Sequence, residues 1–132
     1  MLSPVLYSVI ESPAHPNLSA LYRRRGIVEL KFNSVRKAIS QMKKQPPRWV
    51  VADFSYGYAN NYAGVNVSNL DVLLASLRRY APDARVIVLA DKSEYRYVDK
   101  LKALFTVHMV LQYPVSESTM DELLTSLDGP YG

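Results

Sequence analysis

The chain has 132 residues, of which 48% are hydrophobic and none is cysteine. This length fits one domain with its own core, and the lack of cysteine excludes disulfide frameworks, thiolate zinc sites and cysteine nucleophiles. The formal net charge is +4, and no apolar run approaches the roughly 20 residues that a membrane span requires. The first residues carry no basic signal-peptide region, so we expect no membrane association and a cytoplasmic location.

Strand-like and helix-like segments alternate along the chain. The strand-like segments are residues 4–10, 27–32, 49–53, 85–90 and 107–111. The first four helices are predicted to follow common capping residues: Asn17, Asn33 or Ser34, Ser68 and Ser93. Asp71 stands three residues after Ser68, as in a capping box, and Gly26 is expected to follow the end of the first helix. The fifth helix is predicted at residues 118–127.

Five strands alternating with five helices predict an α/β domain. We expect a flavodoxin-like, doubly wound parallel sheet, (βα)5, with strand order 2-1-3-4-5. The central strands are nearly continuous apolar runs, as a sheet covered on both faces requires. Residues 1–127 are expected to form this single domain, and residues 128–132 a flexible tail.

Polar residues follow the predicted strands at the edge where such sheets carry their functional sites. These residues are Glu11, Asp53, Asp91 and the Tyr113-Pro114 pair. The segments IESP, VVADF, VIVLAD and QYPVS resemble, in order and spacing, the site segments of response-regulator receiver domains (CheY-like), over essentially the whole chain. The resemblance implies a phosphoacceptor position at Asp53 and an Mg²⁺-holding acidic position at Glu11.

Three positions depart from the receiver pattern. Ile10 stands where the family has its first acidic residue, Ala90 where it has a hydroxyl, and Tyr113 where it has a lysine. Pro114, which is usually preceded by a cis peptide bond in that family, is kept. These departures indicate a degenerate receiver, or pseudo-receiver.

Phosphorylation of an aspartate needs a divalent cation and positive charge near the phosphoryl oxygens. With the lysine, the hydroxyl and one acid replaced, we expect Glu11, Asp53 and Asp91 to form a vestigial acidic pocket without a cofactor. Only weak Mg²⁺ binding is conceivable there, at Glu11 and Asp53. An equally simple interpretation is that Asp53 accepts hydrogen bonds from loop N–H groups, as aspartate commonly does after a strand.

The leading interpretation is a non-enzymatic signalling module of two-component type that binds protein partners without phosphorylation. Its alternatives are a phosphoaccepting receiver that uses Asp53 and, less favoured, a small flavodoxin-like ligand-binding domain. By resemblance to receivers, a protein partner or a second copy is expected on the fourth helix, fifth strand and fifth helix, at residues 95–102, 107–111 and 118–127.

A loop rich in tyrosine follows the third strand. Tyr56, Tyr58 and Tyr62 are candidate contacts for a partner, since tyrosine gives a large contact area at low entropic cost. The alternative is that they fold back over the sheet and fill the hollow of the phosphorylation pocket. Of the two histidines, His108 is expected to lie in a strand, either packed or exposed at an edge, and His15 to be a loop residue without a catalytic role.

Basic residues cluster where predicted helices end, at 23–25, 43–44 and 78–79. In a βα alternation these points lie at the amino-terminal edge of the sheet, opposite Glu11 and Asp53. Cations at helix C-termini complement the helix dipole, which explains most of this pattern, and an acidic partner is the remaining interpretation. Nucleic acid is not expected to bind this domain, because no recognised nucleic-acid motif accompanies the charge.

Overall fold

The computed structural model describes residues 3–57 and 67–128 of the chain. Its centre is a five-stranded parallel sheet in the order β2-β1-β3-β4-β5. The strands are Val5–Val9 (β1), Val28–Phe32 (β2), Trp49–Asp53 (β3), Arg85–Ala90 (β4) and Met109–Gln112 (β5). The flavodoxin-like architecture and the strand order predicted from the sequence are therefore confirmed.

A helix follows each strand. The helices are Ser19–Arg24 (α1), Val35–Met42 (α2), Asp71–Tyr80 (α3), Val98–Lys102 (α4), which a 3-10 turn at Tyr95–Tyr97 precedes, and Glu117–Asp128 (α5). No helix in the described part of the chain is long and apolar enough to cross a membrane. Asp128 still belongs to α5, and residues 129–132, the rest of the predicted tail, lie outside the described residues.

The sheet separates two apolar layers. β1 and β3 are buried along their whole length, because helices cover both faces of the central strands. One layer, beneath α2, α3 and α4, includes Tyr7, Val50, Leu73, Val88 and Leu101. The other layer, beneath α1 and α5, includes Leu6, Leu21, Val51, Ile87 and Met120. Because β1, β3 and β4 are parallel neighbours packed between these layers, their carboxyl ends lie side by side at one edge of the sheet.

Two predicted helix boundaries are confirmed by local geometry. The hydroxyl of Ser34 accepts a hydrogen bond from the backbone N–H of Lys37 at 3.2 Å and caps α2. Gly26 follows α1 with φ of 73°, a left-handed conformation that favours glycine after a helix.

The starts of three other helices differ from the prediction. α1 begins at Ser19, one residue later than a cap at Asn17 would place it, although the Asn17 side chain does accept the Ser19 N–H at 3.2 Å. Ser93 does not cap α4, because its hydroxyl donates to Asp91 at 2.6 Å in the turn after β4. Ser68 and Asp71 do bond to each other, but α3 itself starts at Asp71.

Candidate functional site

Asp53 is the last residue of β3 and is only 1% exposed. β3 lies between β1 and β4, so the Asp53 side chain emerges beside the loops that follow these two strands. A carboxylate buried to this degree is costly unless hydrogen bonds replace its lost hydration. The donors around Asp53 therefore decide what the site can do.

Two of these donors are backbone groups of the loop after β1. The N–H groups of Glu11 and Ser12 donate to Oδ2 of Asp53 at 2.8 and 3.0 Å. These bonds agree with the alternative interpretation of the sequence, in which Asp53 accepts hydrogen bonds from N–H groups of a loop. It also fixes the path of the loop that leads into α1.

The other two donors are side chains. Nδ1 of His15 lies 3.0 Å from each carboxylate oxygen of Asp53, and the Tyr113 hydroxyl donates to Oδ1. A carboxylate in contact with three other donors can only accept, so Nδ1 of His15 carries the proton. Since a carboxylate offers about four acceptor positions, these four groups use its full hydrogen-bonding capacity. The side chains of His15 and Asp53 are 3% and 2% exposed, so the pair is closed to solvent.

Tyr113 reaches Asp53 from the end of β5. Its backbone N–H donates to the carbonyl of Ala90 at 3.0 Å, and a cis peptide bond joins it to Pro114. The pKa of the Tyr113 hydroxyl is raised, first by burial and then by its hydrogen bond to the Asp53 carboxylate and by the negative charge there. Tyr113 thus keeps its proton and donates a hydrogen bond where the receiver pattern would place a lysine.

Asn69 links the side chain of Glu11 to the backbone of Asp53. Its amide nitrogen donates to Oε1 of Glu11 at 2.7 Å and to the backbone carbonyl of Asp53 at 2.8 Å. Its amide oxygen accepts the N–H of Ser55 at 2.7 Å. The pKa of Glu11 is raised mainly by burial, with Asn69 lowering it and the charge of Asp53 raising it further.

The other predicted pocket residues take separate positions. Asp91 is exposed, and its carboxylate accepts the N–H and hydroxyl of Ser93 at 3.0 and 2.6 Å, which lowers its pKa. Ile10 is half-buried, and its backbone N–H donates to Phe32 at 2.7 Å. Ala90 is fully buried, and Pro114 is exposed. The structure thus brings together Glu11, Asp53 and Tyr113 of the predicted set.

The residues present do not fit a divalent cation. Hard cations such as Mg²⁺ prefer several oxygen ligands in one place. Both oxygens of Asp53 face N–H or O–H donors, and the Glu11 carboxylate is turned to Asn69. Within residues 3–57 and 67–128, no cluster of three or more His, Asp or Glu side chains could hold a metal ion.

Among the described residues, the tyrosine that contacts Asp53 is Tyr113, which directly follows β5. Tyr56 stacks on Tyr97, with ring centroids 4.0 Å apart and planes 7° from parallel. Tyr58 and Tyr62 lie outside the described residues. Tyr56 is half-buried against the layer beneath α2, α3 and α4, and the choice between loop tyrosines that fill the hollow and loop tyrosines that contact a partner stays a prediction.

Sequence reasoning missed the part that His15 plays. It treats His15 as a loop residue only, whereas the ring is buried against Asp53. The sequence did carry a signal for this contact: Tyr113 stands at the lysine position of the receiver pattern, so Asp53 needs hydrogen-bond donors other than a lysine.

His108, the other histidine, is half-buried just before β5, and its Nδ1 accepts the N–H of Val86 at 2.9 Å.

The basic clusters end helices as predicted, at Arg23 and Arg24 of α1 and at Arg78 and Arg79 of α3. Part of this charge is used within the chain. Arg24 pairs with Glu117 of α5, and Arg25 pairs with Asp121 at 2.7 Å. The same edge of the sheet carries an open cavity of about 1060 Å³ whose lining includes Lys44, Arg48 and Arg85.

No family model and no curated protein matches the sequence. Solved structures match the fold. A response regulator receiver domain protein from Clostridium thermocellum has a TM-score of 0.66 at 18% identity, covering 96% of this chain and 94% of its own. A CheY-like receiver domain protein from Methanospirillum hungatei JF-1 has a TM-score of 0.68 at 11% identity, covering 97% and 95%.

A third match is a response regulator protein from Burkholderia pseudomallei, solved with a phosphorylated aspartic acid, a calcium ion and citrate. Its TM-score is 0.64 at 16% identity, and the match covers 94% of this chain and 66% of that one. At these identities the likeness concerns the fold alone. The chain has the CheY-like fold of response-regulator receiver domains.

Proposed function

We propose that this chain is a receiver-like signalling module that acts by binding a protein partner and not by phosphorylation of Asp53. The fold supports a module of response-regulator type. The proposal further includes a non-enzymatic mode of action and a cytoplasmic location. One observation supports it above the others: the Asp53 carboxylate is engaged by four donors from its own chain.

A phosphoacceptor must present a free carboxylate oxygen to the incoming phosphorus atom. Here Oδ2 accepts two backbone N–H groups, and Oδ1 accepts the Tyr113 hydroxyl, while the His15 ring spans both. Hydrogen bonds to a charged group contribute about 1.5–3 kcal/mol each, so freeing one oxygen carries a substantial energetic cost. The same donors occupy the space in which a cation would contact Asp53.

The site also lacks the groups that stabilise a transferred phosphoryl group. Phosphoryl transfer depends on positive charge from metal ions and cationic side chains. Tyr113 supplies a neutral hydroxyl where the receiver pattern has a cationic lysine. Ala90 has no hydroxyl that could form a hydrogen bond to a phosphoryl group. The donors of this chain instead stabilise a single negative charge, that of Asp53 itself.

The partner is proposed to bind the face formed by residues 95–102, 107–111 and 118–127. β5 is an edge strand of the sheet, so one side of its backbone is open to another chain. Tyr95 and Met109 on this face are 43% and 39% exposed, so both offer apolar contact area to a partner. A protein partner or a second copy of the chain fits such a surface.

A titration with beryllofluoride and Mg²⁺, followed by amide chemical shifts, tests the phosphorylation-independent mechanism. Beryllofluoride mimics a phosphoryl group on aspartate, so we expect no saturable shifts at Ala52, Asp53 or Phe54. Incubation with acetyl phosphate, followed by intact mass, should likewise show no added phosphate. An active receiver domain treated in parallel provides the positive control.

Saturable shifts around Asp53 at millimolar Mg²⁺ would overturn the proposal and favour the phosphoaccepting alternative. Titration with Mg²⁺ alone separates cation binding from phosphoryl mimicry. The variant Tyr113→Lys removes the hydroxyl donor and restores the lysine of the receiver pattern. A response in this variant but not in the parent chain would identify Tyr113 as the group that blocks the site.

The partner face has its own test. If a second copy binds there, sedimentation equilibrium should show a dimer that the substitution Met109→Glu weakens. A monomer that is unchanged by Met109→Glu would exclude the homodimer and leave a different protein as the partner.

A further inference from the structure

A second surface, independent of the proposed partner face, lies between α2 and α3. It is an open groove of about 700 Å³, and the segment that follows α4 contributes Leu104 and Phe105 to its lining. Its lining includes Lys43, Val72, Arg78, Arg79, Leu104 and Phe105, and we name it the α2–α3 groove. None of its lining residues falls within 95–102, 107–111 or 118–127.

The groove exposes aliphatic side chains. Val72 is 54% exposed and Leu104 is 50% exposed, the two highest values among the large hydrophobic residues that the structure describes. Val72 lies near the start of α3, and Leu104 follows the end of α4. Apolar groups exposed together in one concave surface are typical of a site for a protein partner.

The same groove carries three cations. Lys43, Arg78 and Arg79 have no carboxylate within 4 Å in the described part of the chain, where the ion pairs involve His15, Arg24 and Arg25. The one acidic side chain in the lining, Asp71, is 6% exposed. Its carboxylate accepts the N–H groups of Val67 and Ser68 at 2.8 Å each, so it is already bonded.

The cations are held in place by the chain itself. Nη2 of Arg78 donates to the carbonyl of Leu104 at 2.7 Å, and its guanidinium lies 4.8 Å from the centre of the Phe105 ring. Lys43 and Arg79 lie 5.5 and 5.3 Å from the centre of the Tyr80 ring. Charges fixed in this way lose less conformational entropy when a partner binds.

The arrangement of the aromatic rings argues against nucleic acid. Single strands bind largely by stacking bases on free aromatic faces. Tyr80 and Phe105 pack against the core, and their remaining faces are covered by the chain's own cations. The groove therefore offers aliphatic contacts and positive charge, but no stacking platform.

We propose that the α2–α3 groove binds an amphipathic helix with acidic side chains from another protein. Leucine-like side chains at i and i+4 would contact Val72 and Leu104, and carboxylates beside them would pair with Lys43 and Arg79. This inference goes beyond the function proposed above and does not depend on the state of Asp53. Salt should weaken the interaction, because the charged groups are exposed.

The test uses the full 132-residue chain and a labelled synthetic helix that carries leucine at i, i+3, i+4 and i+7 and glutamate elsewhere. Fluorescence anisotropy gives the affinity, and amide shifts locate the site. We expect saturable binding with shifts at Val72, Ser76 and Leu104. The double variant Lys43→Glu/Arg79→Glu should weaken binding at least tenfold, and Val72→Ser/Leu104→Ser at least fivefold.

The matched control is Arg23→Glu/Lys92→Glu, which makes the same change in net charge at exposed positions outside the groove. It should leave the affinity within twofold of the parent chain. An equal loss in this control would mean that net charge alone drives binding, which would overturn the proposal. Tighter binding of a single-stranded oligonucleotide at the same residues, or the absence of shifts in the groove, would also overturn it.

Discussion

The hydroxyl of Tyr113 donates a hydrogen bond to Oδ1 of Asp53 across 60 residues of sequence. Replacing Tyr113 by phenylalanine removes this donor and leaves the ring. Because the acceptor is a buried charge, we expect Tyr113→Phe to lower the free energy of unfolding by about 1.5–3 kcal/mol. Urea denaturation measures the change.

Tyr95→Phe is the matched control for this substitution, since Tyr95 is 43% exposed. It should change the free energy of unfolding by less than about 0.5 kcal/mol. Equal effects of the two substitutions would mean that the Tyr113 hydroxyl contributes nothing specific to the site.

The same hydroxyl predicts a loss of stability in alkali. Burial, followed by the hydrogen bond and the charge of Asp53, raises the pKa of Tyr113 above its ordinary value of 10.0. The folded protein holds this proton more tightly than the unfolded chain, so the stabilisation is complete below pH 10 and is lost as the pH rises above it. The difference in stability between the parent chain and Tyr113→Phe should therefore narrow above pH 10. A constant difference would contradict this assignment.

His15 is predicted to stabilise the site through its Nδ1 proton. His15→Ala should lower the free energy of unfolding by about 1–3 kcal/mol, because it leaves Asp53 with one fewer donor. Long-range ¹H–¹⁵N spectra of the parent chain should show the proton on Nδ1 at neutral pH. A spectrum with Nδ1 unprotonated would contradict the geometry, whatever the stability of the variant.

Asn69→Asp tests the link between Glu11 and Asp53. The substitution keeps the oxygen that accepts the Ser55 N–H, but it replaces the donor to Glu11 and to the Asp53 carbonyl by a negative charge. We expect a loss of about 1–3 kcal/mol at neutral pH, which narrows toward about pH 5 as the new carboxyl gains a proton.

Asn33→Asp makes the same chemical change at an exposed position before α2. It should be neutral or slightly stabilising, because a negative charge near a helix N-terminus is favourable. A similar loss in both variants would show that the bonds of Asn69 are not the cause.

The free energy of unfolding should also depend on pH in the acid range because of His108, which lies just before β5. Burial, and then the charge of Arg85, lower the pKa of His108 from its ordinary value of 6.5. Its Nδ1 must stay unprotonated to accept the Val86 N–H. The unfolded chain binds this proton more readily, so the stabilisation is complete above pH 6.5 and is lost as the pH falls below it.

His108→Gln keeps an acceptor for Val86 but does not titrate. The stability of the parent chain relative to this variant should decline between neutral pH and about pH 5. A difference that is independent of pH in this range would show that His108 does not change charge there.

The strands were predictable from the sequence because their environment leaves a clear pattern. Residues 85–90 form an apolar run that is buried on both faces, and the observed β4 has the same bounds as the prediction. Helix starts were less predictable, because a capping side chain has more than one possible acceptor. Ser93 bonds to Asp91 instead of α4, and only the turn after β4 determines this choice.

Of the candidate site, the position of Asp53 and the exceptional residue Tyr113 could be identified from the sequence. Asp53 follows from a buried strand that ends in an acid, and Tyr113 was recognised as an exception at its position. Its contact with Asp53, like that of His15, joins residues far apart in sequence and depends on the paths of two loops. A buried carboxylate without a cation nearby does require such donors, but sequence alone does not say which residues supply them.

α1 contains only six residues, fewer than the roughly 12–15 that an isolated helix needs to be marginally stable in water. It persists because Leu21 and Tyr22 pack in the same layer as α5, and because Arg24 and Arg25 pair with Glu117 and Asp121. The first and last helices should consequently open together in hydrogen exchange, as one cooperative unit on their side of the sheet. A partner that pulls α5 away from the sheet would release α1 at the same time.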